Sequence, residues 1–356
     1  MLDEKYFVIG VMSGTSLDGV DVVYVEFRKK DFSKYEIVFS ETISYSVDWV
    51  ERLREGISLT RDALLVLDIE YAELLSNLIN DFIYRNNIKN VDFIASHGHT
   101  IFHQPDKGIT LQIGDGQTIA NKTSKKVVCD FRTQDVAFGG QGAPLVPIGD
   151  KILFSKFKYC INLGGFANIS FDNAIGKRIA FDLCPLNIVL NHYARKLGRD
   201  FDDGGRIAMK GKLNEDLFEK LNSIDYYHQK PPKSLGLEWV QKNIFSLLNE
   251  FNDDTPTILR TFVEHAAFQI YKSIGNEVSV LYTGGGVFNT FLTSRIDFFS
   301  NQRVVLMEKK LIEYKEALIF ALLGVLRVEN KINCLASVTG ANSDHSSGKI
   351  YTNKSS

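Results

Sequence analysis

The chain has 356 residues, 44% of them hydrophobic and 24% charged, with a net charge of −2. That length exceeds one usual domain, so two are expected, and the composition is that of a globular protein. The near-neutral balance gives no reason to expect nucleic acid or an anionic membrane surface as a partner, and no apolar run reaches the ~18–20 residues that cross a bilayer. The first residues, MLDEKYFVIG, carry no basic segment ahead of an apolar one, so no signal peptide is expected. Cys129, Cys160, Cys184 and Cys334 lack CxxC spacing and read as reduced thiols of a cytoplasmic protein, neither a disulfide framework nor a zinc site.

An apolar strand opens the chain and runs into Ser13, Gly14, Thr15 and Ser16. Asp18-Gly19 is a hairpin signal, and Val20 to Phe27 reads as the second strand. Such a loop can aim N–H groups and hydroxyls at a polyanion, with Asp18 and Asp21 placed to meet its metal ion. No GxxxxGK[ST] motif is present. Tyr35–Tyr45 is a third strand, and Thr60–Arg85 a helix capped by Thr60. Val91–Ser96 is a short strand ending at His97-Gly98-His99-Thr100, and GGQGAPLVP (139–147) is a loop near a domain junction.

The strand pattern then restarts. Tyr159–Leu163, Gly164-Gly165 and Ala167–Phe171 form a second hairpin, and Pro185–Leu197 is helical. Helices are also expected over Leu237–Phe251 and Thr255–Ser273, the latter with Thr255 as cap and Pro256 at its first position. Val278–Tyr282 is a strand leading into Thr283-Gly284-Gly285-Gly286, a helix starts at Phe288–Arg295, and Tyr314–Glu329 is a late apolar helix. The polar tail after Ala341 reads as mobile. Two hairpin-led α/β halves, each with a Gly-rich turn, suggest the two-lobed actin, hexokinase and heat-shock-chaperone ATPase-like fold with a central nucleotide cleft. The expected lobes are 1–130, joined by 330–356, and 131–329.

Ten blocks carry a more specific likeness. They are GVMSGTSLDGVD (10–21), SHGHTIFHQP (96–105), LQIGDG (111–116), CDFRTQDVAFGGQGAPLVP (129–147), NLGGFANIS (162–170), FDLCPLN (181–187), FDDGGRIA (201–208), PPKSLGLEW (231–239), TGGGVFN (283–289) and SVTGA (337–341). In this order they resemble the anhydro-N-acetylmuramic acid kinases of bacteria. The resemblance implies a usually homodimeric enzyme that uses ATP and magnesium. It opens 1,6-anhydro-N-acetylmuramic acid with water and phosphorylates its 6-oxygen, a step of cell-wall recycling.

By that resemblance the base that activates water is Asp182, a role worth ~10²–10⁴-fold; the alternative from the residues alone is a helix N-cap. Ser13, Gly14, Thr15, Ser16, Asp18 and Gly19 are assigned to the phosphates, with Asp18 also toward magnesium through water. Gly164, Gly165 and Asn168 are assigned to the phosphates from the second half, and Gly284, Gly285, Gly286 and Asn289 to the nucleotide. Arg132, whose fork matches a carboxylate, is the candidate for the lactyl group, against an internal ion pair. Asp135 would accept from sugar hydroxyls or orient Arg132. His97 and Thr100 lie in the block that faces the sugar, and Lys233 and Ser234 are weaker candidates. His97, His99 and His103 share a strand face but read as no metal site.

The chain departs from the family text at Leu183, Cys184, His99, Leu237 and His265, each expected in or near the cleft. Cys184 replaces a usual glycine and Leu183 a hydroxyl residue. These changes leave two alternatives open: a divergent kinase for another sugar, or a non-catalytic ATP-binding regulator.

Overall fold

Alternating β-branched and apolar residues build the strands. They are β1 (Lys5–Ser13), β2 (Val20–Arg28), β3 (Asp31–Ile43), β4 (Phe93–Ser96), β5 (His99–Gln104), β6 (Ile109–Ile113), β7 (Lys126–Cys129), β8 (Tyr159–Leu163), β9 (Phe166–Asp172), β10 (Arg178–Pro185), β11 (Val280–Thr283) and β12 (Lys349–Tyr351). This computed structural model describes residues 4–14 and 16–354, so the candidate phosphate residue Thr15 lies outside it. The chain divides into two units. One runs to Leu153 and resumes from Tyr314; the other is Phe154–Glu313.

In the first unit six strands pair in the order β12-β7-β4-β1-β2-β3. β1, β4 and β7 run parallel, and β2, β3 and β12 antiparallel to their neighbours. Helix Arg61–Arg85 is capped as expected, the Thr60 side chain accepting from Ala63 N–H. Its Leu67, Tyr71, Leu75, Ile79 and Phe82 repeat at helical spacing and bury one stripe against Ile9, Val11, Val22 and Ile94. The apolar helix Lys309–Val328 approaches the sheet closely enough to require glycine. A Cβ at Gly10 would stand 2.3 Å from the Ala317 carbonyl oxygen.

That close packing is why the division falls at Leu153 and Tyr314, where the sequence placed lobe boundaries at 130 and 330. Segment 131–153 and helix Lys309–Val328 pack on the first unit: Phe131 lies against Phe320, and a Cβ at Gly149 would meet Ile319. In the second unit the sheet order is β10-β9-β8-β11, covered by helix Thr255–Ile274, whose Leu259, Phe262, Val263, Ala266 and Ile270 are fully buried.

Three expectations are corrected. Helix Thr255–Ile274 is capped by Asp254, which accepts from Thr257 N–H at 2.9 Å; Thr255 is its first residue. The expected helix over 237–251 contains a π segment, Val240–Phe245. The tail after Ala341 is fixed: β12 pairs with β7, and buried Asn333 donates to the Leu323 and Ser347 carbonyls and accepts from Ser347 N–H. Its polar residues read as solvent-seeking, whereas they satisfy buried backbone.

The sheets position the candidate residues at strand ends. β1, β4 and β7 deliver Ser13, His97 and Arg132 at or just beyond their aligned C-terminal ends. In the second unit β8, β10 and β11 likewise deliver the Gly164-Gly165 turn, Asp182 and the Gly284–Gly286 turn toward one edge. Carboxyl ends of strands are where α/β sheets bind ligands.

Asn333→Ala removes three buried hydrogen bonds, so it should cost about 2–4 kcal/mol in urea unfolding. An unchanged midpoint would contradict the fixed tail.

Candidate active site

In the first unit a hydrogen-bond chain runs through the candidate residues. Tyr45 and Tyr71 hydroxyls lie 2.7 Å apart, and the Tyr71 hydroxyl donates to Ser13 Oγ at 2.8 Å. Ser13 Oγ donates to the Gly98 carbonyl at 2.9 Å, and the same oxygen is 2.9 Å from His97 Nδ1. A carbonyl only accepts, so Nδ1 carries the ring proton and Nε2 is an acceptor. Arg132 fits that assignment: Nε and Nη2 reach His97 Nε2 at 3.1 and 2.9 Å, and Nη1 donates to the Gly142 carbonyl at 2.7 Å. Burial first, then the neighbouring guanidinium, hold His97 well below the ordinary imidazole value.

Arg132 keeps one N–H on each of Nη1 and Nη2 beyond these bonds, an end-on pair suited to a carboxylate. Burial lowers it only to about 10, opposed chiefly by Glu316, so it stays cationic at neutral pH. Asp135 is fully buried away from any sugar: Oδ1 accepts from Thr339 Oγ1 at 2.8 Å and Oδ2 from Gly142 N–H at 2.7 Å. It therefore acts on Arg132 through Gly142, and the reading as a direct acceptor from sugar hydroxyls is corrected.

The opening loop differs from the expected Asp18-Gly19 turn. The left-handed residue is Leu17, at φ 60°. Gly19 is needed for space, since a Cβ would lie 2.6 Å from the Ile43 carbonyl oxygen. Ser16 and Asp18 are exposed, with Ser16 Oγ donating to Asp18 Oδ1 at 2.7 Å; Gly14 is half-buried. Asp21 accepts from Thr42 Oγ1. Ser13 differs from the exposed pair in that its hydroxyl is spent internally. Thr100 Oγ1 accepts from Gln112 Nε2, and buried His99 is lowered to about 4 by desolvation and stays neutral.

In the second unit Asn162, Asn168 and Asp182 stand in register across β8, β9 and β10, with Thr283 beside Asn162 on β11. Half-buried Asp182 is fixed at one oxygen: Oδ2 accepts from Leu235 N–H at 2.8 Å. Its backbone is held too, the carbonyl by the Tyr226 hydroxyl at 2.7 Å and the N–H by the Lys233 carbonyl at 3.4 Å. Among the described residues no donor reaches Oδ1. Burial raises this carboxyl above its ordinary value, and the Leu235 bond opposes the rise. The N-cap alternative fails, because helix Asn187–Arg195 has Leu186 at its cap and no side-chain cap bond. Lys233 Nζ donates to the Tyr226 carbonyl at 3.0 Å.

The glycine turns frame this row. Gly284 has φ +83°, and a Cβ there would lie 2.5 Å from Asn162 Oδ1; a Cβ at Gly286 would meet Leu163 at 2.8 Å. Gly164 and Gly165 carbonyls accept from Leu186, Asn187 and Ile188 N–H groups, while exposed Gly165 has open space above it, as does Gly285. Asn289 Oδ1 accepts from Leu292 N–H and caps helix Thr290–Ser300, which orients its side chain.

The departures are mostly interior. Leu183 and Cys184 are buried at a bulge of β10 opposite β9, and Cys184 has no left-handed φ, so glycine's freedom is not required. His265 lies in the second unit's core, 2.8 Å from Asn222 Oδ1 and lowered to about 3 by burial, not at the site. Among the described residues the ligand atoms of His97, His99 and His103 do not form a close group; Asn162, which the sequence reading missed, is a lone polar residue inside an apolar strand.

A family model for anhydro-N-acetylmuramic acid kinase matches residues 6–353. A curated anhydro-N-acetylmuramic acid kinase of Francisella tularensis subsp. novicida is 34% identical, covering 98% of this chain and 99% of its own. That of Clostridioides difficile is 33% identical over 94% and 95%. Among solved structures, the Acidaminococcus fermentans (R)-2-hydroxyglutaryl-CoA dehydratase component A aligns at TM-score 0.46 and 13% identity, covering 89% of this chain and 96% of its own.

The raised Asp182 value has a sign for stability. Its contribution is full below the unfolded value and is lost as pH rises through the folded one, where a half-buried charge must be kept. Asp182→Asn keeps an acceptor for Leu235, so it should melt higher than the wild type at pH 8, with the gap closing toward about pH 4. A mutant that melts lower at pH 8 would contradict the burial cost.

Proposed function

The chain belongs to the anhydro-N-acetylmuramic acid kinase family, and we propose that it opens 1,6-anhydro-N-acetylmuramic acid with water and phosphorylates O6 from ATP, with Asp182 as base. One observation carries the assignment of the base: a carboxylate with one oxygen fixed by Leu235 N–H and the other unengaged, in a row with Asn168 and Asn162 across the sheet. A proton acceptor must be oriented yet keep a free lone pair, and a raised pKa makes it the stronger base.

The step balances as follows. Water oxygen bonds to C1 while the C1–O6 bond breaks, and the water proton passes to Asp182 Oδ1. O6 then takes the γ-phosphoryl group as its bond to the ADP oxygen breaks. The chain's own groups position the reactants, which is most of what phosphoryl transfer asks. In the first unit Ser16, Gly14 and Gly19 on the opening loop offer backbone and hydroxyl donors suited to phosphate, and in the second unit Gly165 and Gly285 offer backbone donors of the same kind. The end-on N–H pair of Arg132 would take the lactyl carboxylate, with His97 and Gly142 fixing its plane.

Magnesium suits the exposed carboxylate of Asp18, a hard oxygen donor with Ser16 on one oxygen. Bound there with ATP it would neutralise phosphate charge. No described helix is long and apolar enough to cross a membrane; a cytoplasmic homodimer is the assembly that the family resemblance supports.

Turnover in ¹⁸O-water tests the reaction. The expected product is a sugar 6-phosphate with one ¹⁸O at carbon 1, and Asp182→Asn should form it about 10²–10⁴-fold more slowly while still binding ATP. ATP binding without labelled product in the wild type would overturn the assignment and favour another acceptor sugar or a regulatory role. Arg132→Lys, which keeps the charge but loses the fork, should raise KM for the acidic sugar far more than it lowers kcat. Equal loss in both would remove Arg132 from the carboxylate.

A further inference from the structure

A second cluster lies behind the Arg132 loop. Asp135, Cys334 and His345 are all buried, and their ligand atoms lie within 4.8 Å of one another. Among the described residues no other group of His, Cys, Asp or Glu side chains is gathered this closely for an ion. The chain brings them together through long-range structure. Cys334 and His345 form an isolated antiparallel bridge, N–H to carbonyl in both directions at 3.0 and 3.2 Å. Asp135 is held by Thr339 and Gly142.

The imidazole is oriented for a ligand. His345 Nδ1 lies 3.0 Å from the Ser343 carbonyl oxygen, so Nδ1 carries a proton and, in the neutral ring, Nε2 presents a lone pair. Nε2 has no hydrogen bond, yet it faces Asp135 Oδ1 at 3.4 Å. With the ring neutral these are two lone-pair atoms facing each other in a buried site, which repel unless a proton or a metal cation lies between them. Their separation is close to the roughly 3.3 Å expected between two ligands at about 2.0–2.1 Å on a tetrahedral ion. A backbone carbonyl on the second ring nitrogen and a hydroxyl on the carboxylate are the usual outer supports of such ligands.

We propose that Asp135, Cys334 and His345 bind a borderline-soft divalent cation, zinc in the first instance. One thiolate, one imidazole and one carboxylate match its donor preferences, with a fourth position left for water. On binding, the Cys334 thiol gives up its proton to solvent and forms the sulfur–metal bond. The ion would pin the segment from Cys334 to His345 onto Asp135, whose other oxygen fixes Gly142 and, through it, Arg132. This site stands independently of the sugar reaction.

The test is metal content of the full chain after zinc loading and dialysis, read by mass spectrometry, with cobalt as an optical probe. The wild type should retain about one zinc per chain, and Cys334→Ser and His345→Asn tenfold less. The cobalt form should show a thiolate-to-metal absorption band that Cys334→Ser lacks. Circular dichroism and ATP binding on both variants report that they are folded. Wild-type zinc no higher than in the folded variants, or a cobalt spectrum without the thiolate band, would overturn the proposal.

Discussion

The edge of the first unit depends on one buried carbonyl oxygen, that of Gly98. It takes two donors, Ser13 Oγ and His97 Nδ1, and so uses both its lone pairs. That choice fixes the imidazole tautomer, which leaves Nε2 as an acceptor, which in turn aligns a guanidinium that can only donate. Gly98 can present its carbonyl this way because it sits at φ +73°, with a Cβ excluded by the Ile113 carbonyl oxygen at 2.4 Å. The candidate phosphate-loop end of β1 and the candidate carboxylate receptor are thus parts of one network. A change at either is felt at the other through bonds that are buried at Ser13 and His97 and part-buried at Arg132.

The second unit solves a different problem: keeping a carboxylate partly desolvated without losing its orientation. The 231–235 loop folds back on β10. Leu235 takes one carboxylate oxygen, the Lys233 carbonyl takes the Asp182 N–H, and the Lys233 ammonium turns away onto Tyr226. A lysine reaching the carboxylate would have lowered its basicity. Instead the nearest neutral donors orient it while burial keeps its proton affinity high.

Much of this was legible in the sequence where the signal is local. Thr60 caps its helix, β1 and β2 form the opening hairpin, and the three glycine turns fall at strand ends as read. What was not legible rests on distant partners. Asp135 reads as a free acid until Thr339, 204 residues later, is seen on its carboxylate. The tail reads as mobile because its polar residues bond to backbone that the sequence cannot reveal as buried. Asp254 and Thr255 are adjacent capping types, and propensity alone could not choose between them. His265 reads as near the cleft only because its helix follows the 231–239 block, whereas its ring packs against Tyr227 in the core.

The account turns on Asp182 being an oriented base of raised pKa. The direct measurement is a carbon-13 NMR titration of the chain labelled at its aspartate carboxyl carbons, with Asp182→Asn beside it to identify the signal. The account predicts that the signal missing from the mutant titrates above the ordinary aspartate value of about 3.9. A signal titrating at or below that value would contradict it, because the carboxylate would then be a solvated or paired group with no special claim on the water proton.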